Sequence, residues 1–511
     1  MTHDPSPSRR SLVALAAVCL SSLMFGLEIS SVPAILPTLE QVMHADFIEL
    51  QWIMNAYTIA VTTVLMATGT LADRYGRKRV FLIGIAAFGL ASLVCGLTES
   101  VSILIVARFL QGLSGGVMLI CQVAVLSHQF REGRARGMAF GWWGIIFGIG
   151  LGFGPIVGGA IVAVWSWEWV FLVHVALSLV TFALAQGGVE ESRDPEATHL
   201  DLAGMLTLSL SVFALAYFIT QGPDLGFSSP AALAILGVAI ASFVGFLVAE
   251  KRSARPMFDF SVFRIRPFSG AVIGSAAMNV SFWPFMIYLP IWFQAGLGYD
   301  SVAAGTALLA YTLPTLVVPP LAERLSLRYR PGLVIPAGLF LIGSGFILMK
   351  LGSSVEAASW LTMLPGCVLA GIGLGFTNTP VTNTTTGAVA ANRAGMASGI
   401  DMSARMISLA INIALMGFLL VEGVRASLKA ALPDGIDATA LRQLAQQIAA
   451  GATVSPESGI SPAVVHQALT NGFGWVLLYG GLAVWLLAIA SYFVFGKGGA
   501  KVACPAQPVV G

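Results

Sequence analysis

The chain contains about fourteen long apolar runs joined by polar connections, and this pattern limits the folds it can adopt. A bilayer core about 30 Å thick is crossed by roughly 20 apolar residues in a helix. The mean hydropathy of +0.84 is far above that of a water-soluble domain. The sequence therefore predicts an all-α integral membrane protein with about fourteen transmembrane helices. The runs cover residues 12–37, 50–72, 79–98, 101–127, 138–164, 169–187, 202–220, 230–249, 268–294, 301–322, 332–350, 358–381, 397–421 and 472–496.

Positive charge follows the connections between these runs. Of the 27 Lys and Arg residues, 21 lie in alternate connections, among them Arg9, Arg131 and Arg330. Cytoplasmic loops of membrane proteins carry an excess of Lys and Arg, so we predict a multi-pass protein of the cell membrane with both termini in the cytoplasm. The formal net charge of +2 is too small to indicate nucleic-acid binding.

The polar residues show no pattern typical of an enzyme. The five cysteines and six histidines are scattered, without the spacing of a disulfide framework or a metal site. No glycine-rich phosphate loop with a lysine occurs. We therefore predict a protein that is not an enzyme and that needs no metal or cofactor.

A charged turn separates the second and third runs. It reads Gly-Thr-Leu-Ala-Asp-Arg-Tyr-Gly-Arg-Lys-Arg from Gly69 to Arg79. Gly69 and Gly76 allow close helix approach and a sharp turn. Asp73 can lie against a helix N-terminus, and Arg77 can pair with a carboxylate. A simple positive anchor at the membrane would need neither the glycines nor the aspartate.

The charged turn has a partial copy later in the chain, at Leu325 to Arg330. The copy keeps arginines but lacks the acid, because Leu327 stands where Asp73 is expected, and it also lacks the glycine. Transporters built from duplicated six-helix halves predict such an echo. From the loss of the acid we expect the working carboxylate to lie in the first half only.

Two ionisable residues lie inside the first and fourth runs. Burying an arginine in hydrocarbon costs about 2.5–3.5 kcal/mol, so Arg108 should face the protein interior beside a partner. Glu28 is the best candidate for that partner. Desolvation favours a protonated carboxyl group and a nearby arginine favours the carboxylate, so Glu28 is predicted to carry a proton. Alternatively, Glu28 forms an ion pair that only stabilises the structure.

The fifth run is rich in glycine, at Gly148, Gly150 and Gly152 and then in the segment Gly154-Pro155 followed by Gly158-Gly159. Glycines at these intervals form a groove for a partner helix, and a proline supplies a bend. The thirteenth run contains Asp401 and Arg405, one helical turn apart. They predict either a local ion pair or a second site for a proton or a cation.

Polar and aromatic residues in several runs could line a cavity for an amphipathic substrate. The ordinary alternative for such aromatic residues is the interfacial belt of a membrane protein. The candidates are Asn55, Tyr57, Gln111, Asn279, Trp283, Tyr288 and Arg405.

These motifs resemble those of the major facilitator superfamily, and specifically its branch of drug:proton antiporters with fourteen spans. The turn matches the family's loop motif through Gly69, Asp73 and Gly76, and Gly154-Pro155 with Gly158-Gly159 matches the antiporter motif. Three positions depart from the branch. Glu28 stands where aspartate is usual, Pro33 replaces an asparagine, and Asp401 replaces a polar amide.

The resemblance implies proton-coupled export of amphipathic small molecules by a monomer whose two halves alternate access. It implies six-helix halves at residues 1–190 and 266–511, two extra helices in a linker at 191–265, and an extracytoplasmic loop near 422–470. An importer or symporter, a metabolite exporter, and a transporter-like sensor remain alternatives. The implied roles are proton coupling by Glu28, Arg108 and Asp401, a conformational latch at Gly69, Asp73, Arg74, Gly76 and Arg77, and the antiporter motif at Gly154, Pro155, Gly158 and Gly159.

Overall fold

The computed structural model is almost entirely helical. It describes residues 8–45, 47–131, 133–194, 201–253, 260–299, 301–355, 357–390, 393–432, 438–451 and 460–496, and no β-strand occurs among them. The helices are α1 (Arg9–Met43), α2 (Phe47–Tyr75), α3 (Arg77–Leu97), α4 (Val101–Gln129), α5 (Gly133–Val164), α6 (Glu168–Gly188), α7 (Leu202–Leu225), α8 (Pro230–Arg252), α9 (Arg266–Val280), α10 (Phe282–Ile291), α11 (Ser301–Thr312), α12 (Pro314–Val317), α13 (Pro319–Tyr329), α14 (Pro331–Ser353), α15 (Trp360–Gly387), α16 (Ala394–Ala431), α17 (Ala438–Ala449) and α18 (Pro462–Phe495).

The number of spans agrees with the hydropathy pattern. Within the described residues, 13 helical segments are long and apolar enough to cross a membrane, and a bent pair of helices makes a possible fourteenth. The pair joins Ala303–Val317 to Pro319–Tyr329 at an angle of 43°. Its break follows from Pro314 and Pro319, because proline cannot donate to the helical ladder and clashes with the preceding turn.

The helices pack in three groups. In the first, α1 contacts α5 and α6, while α4 contacts α2 and α3; in the second, α14 contacts α15 and α18, and α16 contacts α9 and α18. The third is the pair α7 and α8, and α7 also lies against α2 and α16. The rings of Trp52 and Tyr217 meet there with centroids 5.5 Å apart. The domain boundaries near residues 190 and 265 stay predictions.

Several basic connections meet at one end of the bundle. Arg10 lies 3.6 Å from Glu190, and the Arg77 amide donates to the Ser192 carbonyl at 2.9 Å. The Arg266 side chain donates to the carbonyl of Val494 at 3.1 Å. The first two contacts join the starts of α1 and α3 to the segment after α6, and the third joins the start of α9 to the end of α18. We call this end the basic end; its assignment to the cytoplasm stays a prediction.

The predicted extracytoplasmic loop near 422–470 is partly helical. α16 continues to Ala431, and the amphipathic α17 packs Leu441, Ala445 and Ile448 against α16 and α18. A short helix that packs on the bundle thus forms part of this loop. Residues 433–437 and 452–459 of this loop lie outside the described ranges.

Two glycines allow close packing of α14 against α15 in the second half. A Cβ atom on Gly345 of α14 would lie 2.7 Å from the carbonyl oxygen of Gly366 on α15, and one on Gly366 would lie 2.6 Å from that of Gly345. No side chain fits between the two backbones. By contrast, a Cβ atom on Gly237 of α8 would meet nothing within 4 Å.

We expect Gly345→Leu to destabilise the protein by about 1–3 kcal/mol, because an added side chain forces the packed helices apart. Gly237→Leu is the matched control and should change stability by less than about 0.5 kcal/mol. Thermal unfolding of the purified variants in one detergent measures both. Equal losses would show that the α14–α15 contact is not a special constraint.

Candidate functional site

A buried ion pair forms the centre of the first half. Glu28 of α1 is 0% exposed and Arg108 of α4 is 1% exposed. Arg108 Nη1 donates to Glu28 Oε1 and, at 2.7 Å, to Gln111 Oε1. Sequence analysis predicted this partnership from the cost of an isolated arginine, and the geometry agrees with it.

Groups from two further helices complete the surroundings of Arg108. Its Nε donates to the carbonyl of Ile53 at 3.1 Å, and its guanidinium lies 4.4 Å from the centre of the Tyr57 ring. Gln111 Nε2 donates to Ser92 Oγ of α3 at 2.8 Å. The charge is thus held by hydrogen bonds and by a cation–π contact, as a buried cation requires.

His174 of α6 also contacts this centre, and the sequence motifs gave no indication of it. Its Nδ1 lies 3.3 Å from Glu28 Oε2, and its Nε2 lies 3.2 Å from the carbonyl oxygen of Met24. The side chain is 1% exposed. The sequence signal for this residue was a histidine inside an apolar run. Because His174 lies far from Glu28 along the chain, the sequence did not indicate that the two are in contact.

The second half has its own buried ion pair, between Asp401 and Arg405 of α16. Arg405 Nε donates to Asp401 Oδ1 at 3.3 Å. Ser275 donates to the same oxygen, and Thr382 Oγ1 donates to Oδ2 at 3.1 Å. Arg405 also donates to Asn378 Oδ1 at 2.5 Å. The geometry contains the predicted local ion pair, and both carboxylate oxygens have partners.

The predicted cavity residues lie at separate places. Tyr57 and Gln111 belong to the surroundings of Arg108, and Arg405 belongs to the second ion pair. Asn279 Nδ2 donates to the Ser275 carbonyl at 2.9 Å, and the Tyr288 hydroxyl donates to the Ile413 carbonyl at 2.5 Å. Trp283 packs across the halves, with its ring centre 6.3 Å from that of Phe147. Asn55 is half-buried on α2. A shared cavity therefore stays a prediction.

One glycine face of α5 packs against α1. Ser30 Oγ donates to the Gly150 carbonyl at 3.0 Å, Gly154 lies against Ser30, and a Cβ on Gly158 would lie 3.0 Å from Ser31. The predicted helix groove is confirmed at Gly150, Gly154 and Gly158.

Gly159 does not take part in this groove. It is exposed, and a Cβ there would meet nothing within 4 Å. The reason is helical periodicity, since residues four apart share a face and the following residue points elsewhere. The side chain of Pro155 lies outside the described part of the structure.

A second glycine face of α5 meets the other half. A Cβ atom on Gly148 would lie 3.3 Å from Thr315 Oγ1, and one on Gly152 would lie 3.4 Å from Thr312 Cβ. α5 therefore carries small residues toward both α1 and the second half.

The charged turn joins the two halves at the basic end. Arg77 Nη2 donates to Asp73 Oδ1 at 2.8 Å, while Asp73 Oδ2 accepts from the amide of Met396 at 3.1 Å, in the first turn of α16. Gly69 packs against Gly395, where a Cβ would lie 3.0 Å from the carbonyl carbon. The predicted pairing of Arg77 with a carboxylate, and that of Asp73 with a helix N-terminus, are both confirmed. Arg74 lies with its guanidinium 5.4 Å from the ring centre of its neighbour Tyr75.

The acidic linker after α6 packs beneath this turn. Glu191 accepts from the amides of Lys78 at 3.1 Å and Arg79 at 3.2 Å, which caps α3. Gly76 has a φ of 106°, and a Cβ there would meet the Glu191 carboxylate. The Asp194 amide donates to the Asp73 carbonyl at 2.7 Å. Glycine is thus required at position 76 for both conformation and space.

A second contact between the halves lies at the basic end, and it involves a buried acid of the second half. Arg136 Nε of α5 donates to Asn383 Oδ1 at 2.5 Å, and Asn383 Nδ2 donates to Glu323 Oε2 of α13 at 3.0 Å. Glu323 is 3% exposed, whereas Leu327 is 61% exposed. The second half thus has a buried acid one helical turn before the position that the repeat predicts, and a working carboxylate in the first half only stays a prediction.

Known proteins share this sequence pattern and fold. A profile of the Major Facilitator Superfamily matches residues 18–413. The multidrug resistance protein Stp of Mycobacterium tuberculosis is 31% identical over 86% of this chain and 82% of its own. The tetracenomycin C resistance and export protein of Streptomyces glaucescens is 28% identical over 96% and 94% of the two chains.

Another relative and a solved structure extend these similarities. The multidrug efflux pump LfrA of Mycolicibacterium smegmatis is 26% identical over 89% of this chain and 90% of its own. The solved proton:xylose symporter XylE has a TM-score of 0.62 at 14% identity, over 94% of each chain. The structural likeness shows the fold alone.

We expect Asp73→Asn and Glu323→Gln each to favour separation of the halves at the basic end. Asp73→Asn weakens a direct contact between the halves, and Glu323→Gln weakens the support that Glu323 gives to Asn383, which binds Arg136. A loss of about 1.4 kcal/mol would shift the ratio of open to closed molecules tenfold. Spin labels at Tyr75 and Tyr329, both exposed and in different halves, measure the distance in a background without the native cysteines. Leu327→Gln is the control and should leave the distances unchanged. Unchanged distances in Glu323→Gln would instead support a working carboxylate in the first half only.

Proposed function

The chain belongs to the major facilitator superfamily, and from this premise we propose that it exports amphipathic small molecules across the plasma membrane in exchange for protons. The observation that carries the proposal is the Glu28–Arg108 pair, a carboxylate and a cation buried inside an apolar six-helix group. Ionisable residues within a membrane are costly and mark the paths of ions and substrates. Members of the superfamily are transporters rather than enzymes.

Export as the direction is supported by two observations. The names of three relatives refer to drug resistance, efflux or export. In addition, Gly150, Gly154 and Gly158 pack α5 against α1, the helix that carries Glu28. A proton-coupled importer is the second candidate, since the symporter of similar fold moves xylose with protons and a fold does not determine direction.

The proposed cycle couples the charge of Glu28 to the contacts between the halves. A carboxylate at Glu28 neutralises Arg108, and a protonated Glu28 leaves Arg108 with Gln111, Ile53 and the Tyr57 ring. The two states differ by one charge in a site without water contact, so they favour different arrangements of the surrounding helices. The contacts of Asp73 and Glu323 close the basic end in one of these arrangements. A monomer suffices, because both halves lie in one chain.

Asp401 has a different proposed role. Both carboxylate oxygens accept hydrogen bonds, from Arg405, Ser275 and Thr382. The carboxylate therefore serves to neutralise the buried charge of Arg405. A second proton site at Asp401 remains the alternative. The two roles differ in the proton:substrate ratio that each predicts.

We expect Glu28→Gln to reduce proton-driven transport at least about tenfold, because the amide cannot exchange a proton. The assay is uptake of the dye ethidium into inverted membrane vesicles under an imposed pH gradient. Glu99→Gln changes an exposed carboxylate and is the matched control. Uptake that survives collapse of the gradient would contradict antiport, and unchanged uptake by Glu28→Gln would remove Glu28 from the mechanism.

We expect Asp401→Asn to lower stability by about 3 kcal/mol, because it leaves Arg405 buried without a counterion. The double variant Asp401→Asn with Arg405→Gln should regain part of that loss. Thermal unfolding and the proton:ethidium ratio in proteoliposomes are measured together. A ratio that falls in the single variant would favour the second proton site instead.

A further inference from the structure

His174 is a buried titratable group at the proton-coupling centre whose contribution remains to be explained. It lies on α6 and is 1% exposed. Its ring meets that of Phe88 edge-on, with centroids 5.8 Å apart. A histidine enclosed in this way must have both ring nitrogens satisfied by specific partners.

Both nitrogens of His174 face oxygen acceptors. Nε2 lies 3.2 Å from the Met24 carbonyl, and Nδ1 lies 3.0 Å from the Val170 carbonyl and 3.3 Å from Glu28 Oε2. Glu28 Oε2 has no hydrogen-bond partner in the described part of the chain, and the ring nitrogen Nδ1 faces it at 3.3 Å. If Nε2 donates its proton to the Met24 carbonyl, Nδ1 carries a lone pair. This lone pair and the Glu28 carboxylate would repel each other unless one more proton lies between them.

That additional proton can occupy either of two atoms. On Nδ1 it makes an imidazolium that pairs with the Glu28 carboxylate, and on Oε2 it makes a carboxyl group that donates to Nδ1. The transfer moves one proton across the 3.3 Å contact, with no other bond made or broken.

The other ionisable groups around the pair define its charge. Arg108 from α4 is the cation that meets Glu28, Tyr57 from α2 lies against Arg108, and Cys95 of α3 lies 3.8 Å from Gln111 Oε1. With Arg108 charged, the centre is neutral without the additional proton and carries one positive charge with it. A single charge in an apolar site is costly, so the proton is held loosely enough to be released.

We propose that the transported proton is shared by His174 and Glu28, so that His174 is a proton-binding residue of the exchange cycle. The proposal rests on the proposed function and deepens it. It explains how the centre can bind a proton while the ion pair between Glu28 and Arg108 stays intact, because the imidazole can hold the proton in place of the carboxylate.

The test is the pH dependence of ethidium transport by the full-length protein in proteoliposomes. His174→Gln keeps an amide that can donate to Met24 but cannot titrate. The substitution removes one of the two bases that share the proton, so the remaining base binds the proton less tightly. The part of the transport–pH profile that reports proton binding should therefore move to lower pH, by about one pH unit. His128→Gln, in a half-buried histidine near the basic end of α4, is the matched control and should retain the wild-type profile.

Two further measurements separate the possible failures. Ethidium counterflow without a pH gradient should stay within about twofold of wild type in His174→Gln, which shows that the variant is folded and binds the dye. The double variant with Glu28→Gln should be no worse than Glu28→Gln alone, because both residues serve one proton. An unshifted profile in His174→Gln, with Glu28→Gln uncoupled, would overturn the sharing of the proton only. A wild-type protein without proton-driven transport would overturn the proposed function itself.

Discussion

The ion pair between Glu28 and Arg108 is the interaction on which the rest of the first half depends. Neither charge could stay in an apolar interior alone, so the surrounding helices must supply every remaining partner. α2 gives the Ile53 carbonyl and the Tyr57 ring, and α4 gives Gln111. The requirement for these partners explains why polar atoms converge from separate helices at one point of an otherwise apolar bundle.

The two halves meet through contacts that are similar in kind but different in detail. In one, Asp73 accepts from the first turn of α16; in the other, Glu323 accepts from Asn383, which in turn binds Arg136 near the start of α5. Each contact places a buried acid of one half beside the beginning of a helix or a basic residue of the other. Since such contacts involve few residues, they can break and reform without disturbing the core of either half.

Much of this arrangement could be predicted from the sequence, because the relevant signals are local. Apolar length predicted the spans, the four-residue spacing predicted the pair of Asp401 with Arg405, and the cost of burial predicted a partner for Arg108. His174 and Glu323 could not be found in this way. The role of His174 depends on the contact between α1 and α6, which the spacing of residues within one helix cannot indicate. Glu323 lies one helical turn away from the position that the repeat predicts, so aligning the two copies does not identify it.

The two glycine faces of α5 have a consequence for how freely this helix can vary. Gly150, Gly154 and Gly158 lie against α1, while Gly148 and Gly152 lie against the second half. A larger side chain on either face would collide with backbone or with a neighbouring side chain. Room for sequence change therefore remains mainly on the exposed side that includes Gly159, whereas both packed faces of the helix require small residues.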